Sequence, residues 1–438
     1  MAGGTWTTQN KVRPGVYINF ESVGSLQTGV GERGTVTFPL ALSWGPSKSL
    51  ILLQAGEDVS GILGYDLSAP ELLPVREALK RASTLLLYRL NTGTPATVTV
   101  GELTATAKYG GLRGNDLSII IQESLDVAGS FEVRTLLEGR EVDKQTAADI
   151  AALAANDWIT FSGTGDLEAT AGAPLAGGAD GTVTNADHTA YLGAIEVQEF
   201  NTVGLLSSDA ALKAVYTAWI KRQREDEGKM IQLVLPDYPA ADYEGVISVK
   251  NGVVLADTTK IDKVQAVAWV AGATAGAAVN ASLTYQAYDD AVDVDIRYTN
   301  SQIIAALRAG EFLFVPSQGR ALVEQDINTL TSFTPIKGRE RSKNRVIRVL
   351  DGLATDFKST FERFYLGKIS NNADGRGLLR AELTNIITNY QGIGAIQNFN
   401  SQTDLNVLAG SASDSVYVEM SVQPVDSVEK IYMRIKVV

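Results

Sequence analysis

The chain has 438 residues, 45% hydrophobic and 20% charged, with a net charge of −12 and no cysteine. That length and composition allow two to four domains with real cores, while the missing thiols exclude disulfides, thiolate metal sites and cysteine nucleophiles. The acidic balance argues against a nucleic-acid binder, which needs a basic footprint.

The first residues, Met1-Ala2-Gly3-Gly4-Thr5-Trp6, show neither a charged nor an apolar leader segment, so a chain made and kept in the cytoplasm is expected. Residues 1–22 read as an arm. The turn signal Arg13-Pro14-Gly15 precedes Val16-Tyr17-Ile18-Asn19-Phe20, a short strand by its β-branched and aromatic content. Residues 23–92 predict α/β material, with strands at 34–42, 50–53 and 84–90 and a helix over 69–82 whose first turn holds Pro70 and Pro74.

Between 93 and 189 the pattern changes to short strands at 97–100, 103–108, 117–122, 131–137 and 158–162. One helix is expected over 146–155, and the Gly, Ala and Asp-rich stretch 163–184 reads as a loop. The whole is an inserted, mostly-β domain. His188, the one histidine, sits in a polar stretch and reads as a solvated residue.

Residues 190–330 return to strand–helix alternation, as expected of a sheet covered by helices that continues 23–92. Strands are predicted at 203–206, 230–235, 252–255 and 312–316, and helices at 210–224, 261–274 and 301–309. The apolar run 266–279 is short and built largely of Ala and Gly, which suits a buried, closely packed helix and not a membrane span.

From 331 to 416 a C-terminal core domain is expected. Phe357, Phe361 and Phe364 share one helical face, as do Leu379, Leu383, Ile386, Ile387 and Tyr390, and each set reads as core. Residues 417–438 form the final strand and arm. Val416, Val418, Met420 and Val422 alternate with polar neighbours; at the end Ile431, Met433, Ile435 and Val437 alternate with Tyr432, Arg434 and Lys436. The stretch 331–438 carries 14 Lys and Arg against 11 Asp and Glu, a net +3 that leaves −15 to the rest. Its excess lies in Lys337, Arg339, Arg341, Lys343, Arg345 and Arg348. Two readings stand for this run: a solvated loop and strand edge, or a contact surface for an acidic partner.

Catalytic chemistry is hard to assemble from these residues. Gly29-Val30-Gly31-Glu32-Arg33-Gly34 matches Gly-x-Gly-x-x-Gly, but the residues after it predict a strand, where a dinucleotide site requires a helix N-terminus. No Walker A sequence or Gly-x-Ser-x-Gly elbow occurs. Asn371-Asn372-Ala373-Asp374-Gly375 fails as a calcium loop, because the bidentate position would fall on Ala381. One histidine and no cysteine leave little for a zinc site or a Ser-His-Asp triad. Asp289, Asp290, Asp293 and Asp295 read as surface charges. The expectation is an α/β (α+β) multidomain protein with no catalytic, cofactor or metal site.

Several segments together resemble the tail sheath proteins of contractile bacteriophage tails. They are Arg13-Pro14-Gly15-Val16-Tyr17-Ile18, then Asn344-Arg345-Val346-Ile347-Arg348-Val349-Leu350-Asp351-Gly352, and Tyr365-Leu366-Gly367-Lys368-Ile369-Ser370-Asn371-Asn372-Ala373-Asp374-Gly375-Arg376. Gly394-Ala395-Ile396-Gln397-Asn398-Phe399 and Val422-Gln423-Pro424-Val425-Asp426-Ser427-Val428-Glu429-Lys430-Ile431-Tyr432 complete the match. The resemblance covers roughly 11–45 and 331–438.

It implies subunits stacked in sixfold rings around an inner tail tube, with baseplate and tail terminator proteins as further partners and no nucleic acid or stable membrane insertion. Terminal arms would add strands to neighbouring subunits, through Val16, Tyr17 and Ile18 at one end and Ile431, Met433, Ile435 and Val437 at the other. The C-terminal domain would line the tube, placing the six basic residues of 337–348 against it, and the inserted domain would face outward. Contraction of the sheath would drive the tube through a target envelope. Assembly would take place in the host cytoplasm, and the product would be part of a virion tail. Two other readings remain at this point: the sheath of a related injection or secretion device, and an α/β enzyme with an inserted β domain.

Overall fold

The computed structural model describes residues 2–4, 15–17 and 33–437. Near the N-terminus, Ala2–Gly4 pairs in parallel with Gly15–Tyr17. Arg13, Pro14, Ile18 and residues 29–32 of the glycine motif lie outside the described residues. Gly34 leads directly into a strand, as the sequence predicts.

The centre of the molecule is a seven-stranded sheet. Its strands are β1 (Thr35–Leu40), β2 (Leu50–Gln54), β3 (Thr84–Arg89), β4 (Thr202–Gly204), β5 (Gln232–Pro236), β6 (Val246–Val249) and β7 (Glu311–Phe312), in spatial order β7-β6-β5-β4-β1-β3-β2. All neighbours pair in parallel except β2 with β3. A parallel sheet needs cover on both faces, and β5 (Gln-Leu-Val-Leu-Pro) is buried throughout.

One face carries Val36, Phe38, Leu85, Leu87, Val234 and Ile247 against helices α1 (Leu73–Leu79) and α4 (Lys263–Gly276). The other carries Leu233, Leu235 and Val246 against α2 (Asn185–Glu196) and α3 (Ala210–Glu225), whose Tyr191, Leu192, Tyr216 and Ile220 fill the layer. Helix α4 is buried from Ala266 to Ala275, and its small residues permit close backbone packing. His188 corrects the sequence expectation. It is buried on α2, with Nδ1 2.9 Å from the Tyr216 hydroxyl, and burial lowers its pKa.

Between β3 and α2 the chain leaves the sheet to build two antiparallel sheets that share one core. One has the order Arg140–Ala147, Phe131–Leu137, Leu117–Glu123, Thr170–Pro174; the other has Ile159–Ser162, Leu103–Ala107, Thr97–Val100. Two expectations fail here. Residues 146–155 are not a helix. The first two finish the strand Arg140–Ala147, which pairs with Phe131–Leu137, and one 3-10 turn, Ile150–Ala152, follows. The Gln145 amide then ties Ala154 through its N–H and carbonyl, at 2.9 and 3.1 Å, so the alanine run stays extended. The stretch 163–184 is not a loop throughout either, because Thr170–Pro174 pairs with Leu117–Glu123 and buries Ala173.

This β-sandwich is fixed to the sheet by exchanged side chains. Trp44, from the loop after β1, enters the sandwich core between Tyr109 and Trp158 at ring distances of 5.4 and 5.3 Å. Arg89 of β3 donates to the carbonyls of Gly45 and Gly110, both at 2.6 Å. In return Arg113 of the sandwich donates to Gly64 O at 2.7 Å.

Candidate assembly interface

Helix α5 (Asn300–Arg308) precedes β7; after β7 the chain forms a hairpin, Phe314–Ser317 with Arg320–Val323, and then helices α6 (Asn344–Phe364) and α7 (Ala373–Gly392) of the C-terminal region. The basic run is only in part loop and strand edge: Lys337 lies in a bend and Lys343 bridges to Ile327, whereas Arg339 and Arg341 sit in a short 3-10 turn, Arg339–Ser342, and Arg345 and Arg348 in the first turns of α6. Much of its charge is spent inside the chain. Arg348 is fully buried, ion-paired with Asp326, and donates to Ala281 O at 2.9 Å. It is a core residue and presents no surface contact.

Lys337 and Arg341 both reach Glu244, at 3.1 and 3.4 Å, and Lys343 is paired with Glu429. Arg345 is half-buried, and Arg339 is exposed. One further pair crosses from α3: Arg224 grips Asp351 of α6 through two nitrogens, each 2.7 Å from a carboxylate oxygen. Burial works against the Arg224 charge, but Asp351 outweighs it and raises the pKa. Burial and the neighbouring Arg348 bring Arg33 down to about 10, although Asp351 opposes the shift.

Val349 and Leu353 of α6 meet Ile386, Ile387 and Tyr390 of α7 in a small separate core. Tyr390 donates to Asp356 at 2.7 Å. The aromatic face of α6 is only partly core. Phe357 packs on this cluster, Phe361 stacks beside it, and Phe364 is exposed. Asn372 accepts from the Gly375 amide at 2.8 Å, so 371–375 is the N-terminal cap of α7. Of the four carboxylates considered as surface charges, three pair with cations, Asp289 with Arg81, Asp290 with Lys80 and Asp293 with Arg297, while the half-buried Asp295 accepts from the Gly252 amide at 2.8 Å.

A two-stranded hairpin, Leu405–Ala409 with Val416–Met420, lies against α7. Leu405 points inward, whereas Leu408 and Tyr417, opposite each other in register, are 53% and 55% exposed. Each strand has one edge with no strand partner among the described residues. The chain then pairs Gln423–Pro424 with Ile396–Gln397 and runs out to its end.

The alternation at 431–437 forms no strand within the described residues, and both faces are open. Ile431, Met433, Ile435 and Val437 are 77%, 76%, 78% and 97% exposed, and Tyr432 is 91% exposed. A β-competent apolar segment fully in solvent, close in sequence to a hairpin with open edges, is what strand addition between chains uses.

The buried acids Asp326, Asp351 and Glu244 and the half-buried Glu429 escaped the sequence reading, which carries no local signal for them. Among the described residues no group of acids and histidine is placed to hold a metal ion, and no helix is long and apolar enough to cross a membrane.

Four tail-sheath domains match the chain in succession: the Gp18 domain III N-terminal region over 33–90, the beta-sandwich domain over 91–180, the central domain over 181–329 and the C-terminal domain over 337–438. A sheath tail protein from Desulfitobacterium hafniense is 61% identical; the match covers 97% of this chain and 100% of that one, with a TM-score of 0.88. The chain belongs to the phage tail sheath protein family. This sheath protein is also similar along its whole length to XkdK of the phage-like element PBSX of Bacillus subtilis, 38% identical over 466 residues and covering 100% of both.

It shares its fold with the anti-feeding prophage sheath in its contracted state, at 13% identity and a TM-score of 0.57, covering 97% and 99% of the two chains. By its family the chain is a structural protein of a phage-type tail sheath.

Proposed function

We propose that this sheath subunit stacks in sixfold rings around an inner tail tube and that the contracting sheath drives the tube through a target envelope, with baseplate and terminator proteins at its ends. The observation that carries the assembly step is the terminal segment 431–437, apolar on alternate residues and exposed throughout, close in sequence to a hairpin with open edges. In this reading the segment adds a strand to a neighbouring subunit, and Val16, Tyr17 and Ile18 do the same from the other end. Work comes from changed packing between subunits, so the subunit itself catalyses no reaction.

A basic contact with the tube, if the C-terminal region lines it, falls to Arg339 and the outer sides of Lys337, Arg341 and Arg345. Assembly in the host cytoplasm belongs to the same reading. The full-length likeness to a protein of a phage-like element supports a prophage-derived particle as readily as an infectious phage. Electron microscopy of the purified protein, alone and with the tube protein, tests this. Hollow striated tubes are expected from the full chain and none from a chain lacking 431–438; tubes from the truncated chain overturn the arm reading.

A further inference from the structure

Resting on the arm reading, we propose that Glu429 is the positioning residue of the C-terminal arm, holding its root on the subunit so that the arm leaves the body at a fixed point. Among the side chains of 428–437, Glu429 is turned inward while its neighbours are open. Its side chain is 11% exposed, whereas Val428 is 84% and Ile431 77% exposed. The inward turn is held by three donors from three separate stretches. Thr284 Oγ1 donates at 2.9 Å to one carboxylate oxygen; Gln325 Nε2, at 2.6 Å, and the Lys343 ammonium donate to the other.

Each donor is itself anchored. Thr284 accepts from the Asp326 amide at 3.0 Å, Gln325 precedes the buried Asp326, and Lys343 is the residue from which α6 begins. Upstream, Val425 N–H donates to Ala395 O at 2.9 Å. The chain is therefore tied at 425 and again at 429, and residues 430–437 after it are exposed.

A charged carboxylate with three donors is a strong and directional hold. Its value to a polymer is preorganisation. Residues already ordered in the free subunit lose no further freedom when the arm docks on a neighbour, and the arm starts from one place. Without Glu429 the root from 426 onward joins the exposed arm, and the end that must find a neighbour's strand edge searches a larger volume.

Two variants and one truncation test this in the full chain. Far-UV circular dichroism first establishes that Glu429→Gln and Glu429→Ala monomers keep the wild-type fold. Limited trypsinolysis then reads the root directly. In wild type, cleavage after Arg434 and Lys436 is fast and cleavage after Lys430 slow; in both variants cleavage after Lys430 rises at least tenfold with the other two unchanged. The critical concentration for tubes, read by sedimentation, rises at least tenfold in both variants.

An unchanged Lys430 rate overturns the hold. A raised rate with a wild-type critical concentration overturns the positioning role. Tubes from a chain lacking 431–438 would bring down the arm reading instead, and the protease result on the monomer would stand apart from it.

Discussion

Arg224 on α3 and Asp351 on α6 face each other as a two-point ion pair with side chains only 7% and 5% exposed, and they bolt the first helix of the C-terminal domain to the central sheet's outer layer. Arg224 also donates to Ile231 O at 2.9 Å, so the guanidinium is shared between both parts. Removing one partner of such a pair strands a buried charge, which costs about 3–5 kcal/mol. Arg224→Met and Asp351→Leu should each lower the unfolding free energy of the monomer by that much in urea titrations. The double variant should recover most of the loss, because both charges are then gone. A double variant as weak as the sum of the two singles would show that the pair's neighbours, and not the pair, carry the effect.

A second prediction concerns the approach of α1 to α4. A Cβ on Gly272 would lie 2.3 Å from the carbonyl oxygen of Ala78, and one on Gly276 2.0 Å from that of Arg81. Both obstacles are backbone, so neither yields cheaply. Gly272→Ala should therefore destabilise by about 1–3 kcal/mol, even though alanine is the better helix former by about 1 kcal/mol. Gly193 on α2 provides the contrast, since nothing lies within 4 Å of its Cβ position. Gly193→Ala should be neutral or mildly stabilising in the same thermal unfolding experiment.

Asp242 offers a pH signature. Partial burial raises its pKa, but donors from Ser332 and Thr331 outweigh that and bring it down to about 2. The Thr331 amide lies at 2.7 Å, its hydroxyl at 3.1 Å and the Ser332 amide at 3.0 Å. The folded value lies below the unfolded one of roughly 3.9. The stabilisation is thus fully present above about pH 4 and is lost as pH falls toward 2. The difference in melting temperature between wild type and Asp242→Asn should be constant from pH 7 to 5 and shrink from pH 4 to 2.5. A constant difference over that range would mean the carboxylate's charge is not what holds the linker at 331–332.

The parts of the fold legible in the sequence are those whose cause is local. Leu383, Ile386, Ile387 and Tyr390 recur at helical spacing and are the buried face of α7. The small residues of 266–275 announce a helix that another backbone can approach, and Gly272 meets Ala78 there. What stayed hidden depends on partners far along the chain. Thr170–Pro174 is small and loop-like in sequence until Leu117–Glu123 supplies its hydrogen bonds. His188 looks solvated in its own neighbourhood, but α3 brings Tyr216 over it.

The same holds for the candidate interface. Asp351 stands 127 residues from Arg224, and Glu429 stands 86 from Lys343, so a count of basic residues could not tell a spent charge from a free one. The terminal alternation was visible because it is local. No residue of the same chain, among those described, covers it.

That alternation makes the last prediction a test of faces. If 431–437 docks as a strand, Ile431, Met433, Ile435 and Val437 share one side and Tyr432, Arg434 and Lys436 the other. Charge on the apolar side then has to be buried against the neighbour, at a cost of several kcal/mol for an unpaired carboxylate. Ile435→Asp should abolish tubes, whereas Lys436→Asp should leave them forming within a few-fold of the wild-type critical concentration. Neither should change the monomer, because both side chains are in solvent there; equal melting temperatures check that. If both substitutions abolish tubes, the segment docks with both faces covered. If neither does, it does not dock as a strand.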